Sequence, residues 1–116
     1  MAGFQVHAES KYIPGSAIKA RRVVNVVRGM HAEEALEVLR LMPQAAARPV
    51  AKTIQSAVAN AEENFGLSRE DLVIAEIFAN SGPMRPWRRF GARGRFKPIR
   101  RRTSHIRVVL EEVEEE

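Results

Sequence analysis

One segment of the chain carries positive charge with nothing to balance it. Residues 83–110 contain ten Lys and Arg and no Asp or Glu, whereas residues 1–82 contain nine residues of each sign. Residues 111–116, Glu-Glu-Val-Glu-Glu-Glu, bring the net charge to +5. A block of like charge repels itself and favours a polyanionic partner. A solvated surface is the alternative, but such a surface usually interleaves acids with bases, so nucleic acid is the leading partner class.

Composition excludes several other classes. The 116 residues fit a single domain, 1–116, and 45% of them are apolar, which suffices for a modest core. The absence of cysteine excludes disulfides and thiolate chemistry, and three scattered histidines argue against a metal site. No apolar run reaches the roughly 20 residues that span a bilayer, and no signal peptide is evident. We expect a soluble intracellular domain with no cofactor, no metal, no membrane partner and no homo-oligomer.

Helical periodicity dominates the first two thirds of the chain. Phe4 to Glu9 alternates as a strand does, and Pro14-Gly15-Ser16 predicts a turn with Ser16 as a helix N-cap. The first helix ends near Gly29, the second ends before Pro43, and the third runs from about 44 to 64, with Pro49 in its first turns or at a kink. The predicted apolar stripe of the first helix is Ala20, Val23, Val24 and Val27. That of the second helix is Ala35, Val38, Leu39 and Met42. That of the third helix is Val50, Ile54, Ala57, Val58 and Ala61.

Two strands follow the helices. Leu72 to Ala79 is apolar apart from Glu76, which predicts a strand covered on both faces, and His105 to Leu110 alternates cleanly. The predicted fold is α+β: three helices packed on a three-stranded antiparallel sheet, in the order β-α-α-α-β-β, with the last two strands adjacent.

The segment between the last two strands predicts a long protruding basic β-hairpin, residues 80–106, which we call the arm. A dozen residues each way would reach roughly 40 Å, with a turn near Phe90 to Gly94. Such a ribbon is marginal alone, so we expect it to be mobile until a polyanion orders it. Trp87, Phe90 and Phe96 are suited to stacking on exposed bases, and packing against the body is the alternative.

The first helix supplies a second basic surface. Its outer face carries Lys19, Arg22 and Asn25, with Arg21 and Arg28 at the edges. Together with the arm, this face predicts a protein that bridges different parts of a large RNA.

Three other functions are alternatives to RNA binding. No phosphate loop or nucleophile elbow is present, and the carboxylates fall mainly on helix faces and in the tail, so the sequence predicts no enzyme. A sequence-tolerant binder of duplex DNA would need no long probe with stacking aromatics. A localisation signal is the weakest of the three alternatives.

Several segments together resemble the bacterial form of large-subunit ribosomal protein number twenty-two. They are Lys19-Ala-Arg-Arg-Val-Val-Asn-Val-Val-Arg-Gly, Ser56-Ala-Val-Ala-Asn-Ala-Glu-Glu-Asn, Gly82-Pro, Ala92-Arg-Gly-Arg95 and Arg102-Thr-Ser-His-Ile106. The resemblance implies a cytoplasmic ribosomal protein near the tunnel exit that contacts several rRNA domains and supports subunit assembly. It also implies neighbouring ribosomal proteins as partners, and a hairpin tip that lines the exit tunnel, where it meets the nascent polypeptide and lies near macrolide sites. Here Phe90-Gly91 stands where the family usually has Pro-Arg.

Two groups of residues are predicted to carry this function. The rRNA-binding group is Lys11, Lys19, Arg21, Arg22, Asn25, Arg28, Asn60, Asn64, Lys97, Arg100, Arg101, Arg102, Thr103, Ser104 and His105. The tunnel-facing group at the hairpin tip is Arg85, Trp87, Arg88, Arg89, Phe90, Gly91, Ala92, Arg93, Gly94 and Arg95. Helix capping remains the alternative for Asn64, and an ordinary surface position the alternative for His105. The acidic tail, 111–116, is expected to face solvent.

Overall fold

The computed structural model describes residues 5–82, 85–90, 96–101 and 103–113, with the backbone alone described for Tyr12, Pro14, 85–90 and 96–101. The elements are β1 (Gln5–Pro14), α1 (Ala17–Val27), α2 (Ala32–Leu41), α3 (Ala47–Phe65), a 3₁₀ turn (Arg69–Asp71), β2 (Leu72–Ser81), β3 (Arg85–Phe90), β4 (Phe96–Arg101) and β5 (Thr103–Glu112).

β5 lies at the centre of a three-stranded antiparallel sheet with the order β1-β5-β2. Leu110 pairs with Val6 on one side, and Val108 pairs with Ile77 on the other. The register of β2 shifts between Ile74 and Glu76. The predicted α+β fold, with three helices on a three-stranded sheet and the last two body strands adjacent, is confirmed.

The helices form where the apolar periodicity predicts them. The Ser16 side chain accepts a hydrogen bond from the Ile18 backbone N–H at 3.2 Å, which caps α1 as expected. The chain leaves α1 through Gly29, whose φ of 84° is in the left-handed region that glycine tolerates. The predicted stripes of α1 and α3 are buried in one core with Ile74, Ile106 and Leu110 of the sheet.

The third helix starts later than predicted, at Ala47 rather than at about residue 44. Pro49 therefore occupies the third helical position, where its missing N–H has no partner within the helix in any case. Thr53, one turn later, is fully buried, and its hydroxyl lies 2.8 Å from both the Pro49 carbonyl oxygen and the Ser10 hydroxyl oxygen. These contacts tie the first turns of α3 to β1.

One face of the sheet is open, and the prediction that both faces of β2 are covered is wrong. Ile77 and Ala79 are buried, but Glu76, Phe78 and Asn80 are exposed, Phe78 by 44%. The described helices pack on a single side of the sheet, and a second layer would be needed to cover the other. Because Phe78 is apolar, the sequence pattern wrongly predicted that this second face is covered.

β5 extends further than its alternating pattern indicates. β5 continues to Glu112, and Glu111 and Glu112 are half-buried strand residues rather than a solvent-facing tail. The Val113 N–H donates to the Asp71 carbonyl at 2.8 Å. Residues 114–116 of the predicted tail lie outside the described residues.

The arm contains a two-stranded antiparallel sheet, β3 paired with β4. The last described pair is Phe90 with Phe96, so the predicted turn falls in 91–95, outside the described residues. A compact chain of this length has a radius of gyration of about 13 Å. The observed value is 17.3 Å, and the chain extends 69 × 26 × 21 Å.

Candidate nucleic-acid interface

The five polar candidates on α1 divide into two groups by their hydrogen bonds. The Arg21 Nε–H donates to the Ala79 carbonyl at 2.9 Å, and an Arg28 Nη–H donates to the Ile77 carbonyl at 2.8 Å. Arg28 also donates to the Asn25 Oδ1 at 2.9 Å. These two arginines are two helical turns apart, and their acceptors are alternate residues of β2. Both arginine side chains therefore reach the same edge of β2, on carbonyls two residues apart.

The hydrogen bonds from Arg21 and Arg28 cover a free sheet edge, because β2 is an edge strand. At the other end of β2 the Gly29 N–H donates to the Ile74 carbonyl at 3.0 Å, and the Ile74 N–H donates to the Met30 carbonyl at 2.9 Å. Unpaired edge groups otherwise invite another strand to add to the sheet. Arg21 and Arg28 therefore have a structural task in addition to any contact with RNA.

Lys19 and Arg22 differ from their neighbours because their charges are unengaged. Both are exposed, and within the described residues neither makes a hydrogen bond or an ion pair. Their i, i+3 spacing puts them on adjacent turns of one helix face. They lie beside a groove of about 500 Å³ between α1, the start of α3 and the ends of β1 and β5. We call this cavity the α1–α3 groove.

Two other cations of the body are already paired with acids. Arg40 lies 3.2 Å from Glu37, and Arg69 lies 2.6 Å from Glu62. The hydrogen bond to Glu62, reinforced by the charge of that carboxylate, raises the pKa of Arg69 above its usual value. The cations free to meet phosphate are therefore fewer than the sequence suggests.

Sequence reasoning missed some of the unpaired cations, two of them at the start of α3. Arg48 and Lys52 are exposed near the start of α3, four residues apart, and neither has a hydrogen-bond or ion-pair partner among the described residues. Both line a second groove, which lies between α2 and the start of α3. Their i, i+4 spacing with no acid between them was the signal that could have found them.

The base of the arm is closed by a tight contact at Gly82. Its N–H donates to the Thr103 carbonyl at 2.8 Å. A Cβ at this position would collide with the Thr103 Oγ1 and lie 3.2 Å from the His105 Nε2. Glycine is required here by space, and it lets the two strands approach where the arm leaves the body.

The three polar residues predicted at the arm base have different environments. Thr103 and His105 are half-buried, whereas Ser104 is only 2% exposed. Ser104 lies on the core side of β5 and lines the α1–α3 groove together with Ile106. Among the described residues, the groove is where Ser104 borders open space.

Asn60 and Asn64 are brought together as their spacing predicts. The Asn64 side-chain N–H donates to the Asn60 Oδ1 across one turn of α3. The helix is ended instead by Gly66, whose φ is 65° and whose N–H donates to the Glu62 carbonyl at 3.2 Å. The remaining amide groups of the pair stay candidates for RNA.

The register of the arm places like charges opposite one another. Arg85 pairs with Arg101, Arg89 with Lys97, and Arg100 is opposite Pro86. Like charges at directly opposed positions destabilise an antiparallel pair. The β3–β4 ribbon therefore favours a dense source of negative charge beside it.

The remaining predicted residues are located only in part. Lys11 is exposed on β1, at the register shift between Ser10 and Ile13. The structure describes the backbone alone for Arg85, Trp87, Arg88, Arg89, Phe90, Lys97, Arg100 and Arg101. Gly91, Ala92, Arg93, Gly94, Arg95 and Arg102 lie outside the described residues. No helix in the described ranges is long and apolar enough to cross a membrane.

Comparison of the sequence with models of protein families identifies the family of this chain. The sequence model of the family described as ribosomal protein L22p/L17e matches residues 8–111. The chain belongs to the L22 ribosomal protein family. The match runs from within β1 to within β5, and it includes both the cations of α1 and the arm.

Membership in the L22 family gives the general function. The family is structural rather than enzymatic, and its members are constituents of the large ribosomal subunit in the cytoplasm. The partners are therefore rRNA and other ribosomal proteins. The unpaired cations of α1 and the charge-opposed ribbon of the arm fit an rRNA partner.

Proposed function

We propose that this L22-family protein joins several domains of large-subunit rRNA and so supports subunit assembly. The observation that carries the proposal is the arm register, in which Arg85 opposes Arg101 and Arg89 opposes Lys97. A ribbon built this way is stabilised when phosphates surround it, because they neutralise both strands at once. Insertion of the arm among rRNA segments supplies those phosphates.

The body contributes a second contact surface. Lys19 and Arg22 on α1 carry free charge beside the α1–α3 groove, and Ser104 at the arm base lines the same groove. A surface that starts at α1 and continues into the arm reaches along a molecule with a long dimension of 69 Å. RNA segments that are distant in sequence are thereby held by one protein.

The arm tip is assigned to the polypeptide exit tunnel. Family resemblance supports this placement, and the near-tip arginines, five of them between residues 85 and 95, would set the potential felt by a passing nascent chain. We also propose that macrolide antibiotics bind near this tip. A photo-crosslinking side chain at Ala92 in stalled ribosomes should capture the nascent chain, whereas the same group at exposed Glu33 on α2 should not.

Salt dependence of rRNA binding tests the electrostatic basis. Residues 84–99 contain six Lys and Arg. The logarithm of the binding constant falls linearly with the logarithm of the salt concentration, with a slope set by the number of phosphate contacts. If all six cations contact phosphate, replacing residues 84–99 with a short turn should make that slope less steep by about 4–5 units. Filter binding to transcribed large-subunit rRNA between 50 and 300 mM salt, for example, measures that slope. An unchanged slope would contradict phosphate neutralisation by the arm.

A further inference from the structure

The α1–α3 groove has the make-up of a nucleotide site rather than of a general basic surface. Its cations, Lys19 and Arg22, lie along one side, and none of the described residues that line it is acidic. The remaining lining is largely apolar, with Ala45, Ala46 and Pro49 on the α3 side and Ile106 in the floor. An extended phosphate backbone needs the cations but not the apolar walls.

The volume of the groove matches a small ligand. It measures about 500 Å³, within the range of roughly 300–1,000 Å³ usual for small-molecule sites. Three of the lining residues are alanines, Ala20, Ala45 and Ala46, and their short side chains leave the space open. Gln44 at the mouth offers both a donor and an acceptor, as the edge of a base requires.

We propose that the α1–α3 groove receives one unstacked nucleotide of the rRNA, with its base against Ala45 and Pro49 and its phosphate at Lys19 and Arg22. Single-stranded RNA is commonly recognised by such splayed-out bases. The inference rests on the proposed rRNA-binding function and adds a specific site to it.

Location favours RNA over an acidic protein segment as the occupant. Ser104, which lines the groove, is three residues after Arg101, where the described ladder of the arm ends. RNA that follows the arm towards the body therefore arrives at the groove. An acidic peptide would satisfy the two cations but would leave the walls of the groove without a flat apolar partner.

Filling the groove tests the proposal directly. Ala45 is exposed and lies outside the core, so Ala45→Phe should fold normally while occupying the space for a base. Ala59→Phe places the same ring on an exposed position of α3 that does not line the groove. Affinity for transcribed large-subunit rRNA should fall about tenfold for Ala45→Phe and remain within twofold for Ala59→Phe. Equal affinity of the two variants would overturn the proposal.

Small probes separate a base site from an anion site. In an amide NMR titration of the full chain, ribonucleoside 5′-monophosphates should shift the Gly15, Ser16 and Ala45 signals at least fivefold more strongly than ribose 5-phosphate. Equal shifts by ribose 5-phosphate, or tighter binding of a tetraglutamate peptide, would overturn the base site. If wild-type protein failed to bind rRNA at all, the proposed function would fall too. Loss of the base site alone would leave that function intact.

Discussion

At the scale of single residues, the arm base depends on the absence of a side chain at Gly82. The Gly82 N–H and the Thr103 carbonyl are 2.8 Å apart, and a methyl group would strike the Thr103 Oγ1. The φ of Gly82 is not in the left-handed region, so the requirement is one of space alone. It follows that the strain can be relieved from the other side of the contact.

Gly82→Ala should destabilise the protein by about 1–3 kcal/mol, the usual range for overpacking a tight contact. Removing the obstructing hydroxyl should recover part of that loss, so Gly82→Ala with Thr103→Ala should be more stable than the sum of the single effects predicts. Urea unfolding of the wild type, both single variants and the double variant gives the coupling energy. Strict additivity would show that the Thr103 hydroxyl is not what obstructs the position.

Residue roles were predicted well where they are local and poorly where they depend on distant partners. Ser16 caps α1 because capping involves neighbours two or three residues away. The hydrogen bonds of Arg21 and Arg28 were not foreseen, since their acceptors in β2 are 58 and 49 residues away in the chain. The burial of Ser104 likewise follows from which face of β5 receives the helices.

At the scale of elements, α1 both covers the edge of β2 and presents charge to solvent. Arg21 and Arg28 donate to the strand, while Lys19 and Arg22 have no partner within the described residues. One helix therefore allows a structural cation and a binding cation to be compared by the same substitution.

Arg28→Ala should lower the free energy of unfolding by about 1–2 kcal/mol, because it removes a charge-assisted hydrogen bond that is partly buried. Arg22→Ala should change stability by less than about 0.5 kcal/mol, as is usual for a surface site. Its affinity for rRNA should nevertheless fall severalfold at moderate salt. Denaturant unfolding and rRNA binding, measured on both variants, test the division. Equal loss of stability in both variants would contradict it.

The helices were easier to predict than the sheet for a physical reason. The stripes of α1 and α3 are encoded by local spacing, and every residue predicted in them is buried. Whether a strand has one face covered or two depends on how many layers the domain has. Phe78, apolar but 44% exposed, shows that hydrophobicity alone does not give that number.

At the scale of the whole molecule, stability and binding are assigned to different parts. Among the residues whose burial the structure describes, the core consists of residues from Val6 to Ala79 and from Ile106 to Leu110. The arm holds six of the cations in residues 84–99 alone. We therefore expect the body to fold without the arm, and the arm to become ordered on RNA.

Replacement of residues 84–99 by an Asn-Gly turn should leave a cooperative thermal transition within about 5 °C of the wild-type midpoint. The reason is that all core residues with described burial, from Val6 to Ala79 and from Ile106 to Leu110, are retained. Circular dichroism at 222 nm follows the transition through the helical signal. Disappearance of the cooperative transition would show that the arm takes part in folding the body.

The central claim is that this protein is an integral component of the large ribosomal subunit, held there by its arm and by α1. The most direct test is gradient sedimentation of a tagged copy from a cell lysate after a high-salt wash, beside the variant that lacks residues 84–99. The wild type should migrate with the large subunit, and the variant should be depleted from that fraction. Recovery of the wild type at the top of the gradient would contradict the account.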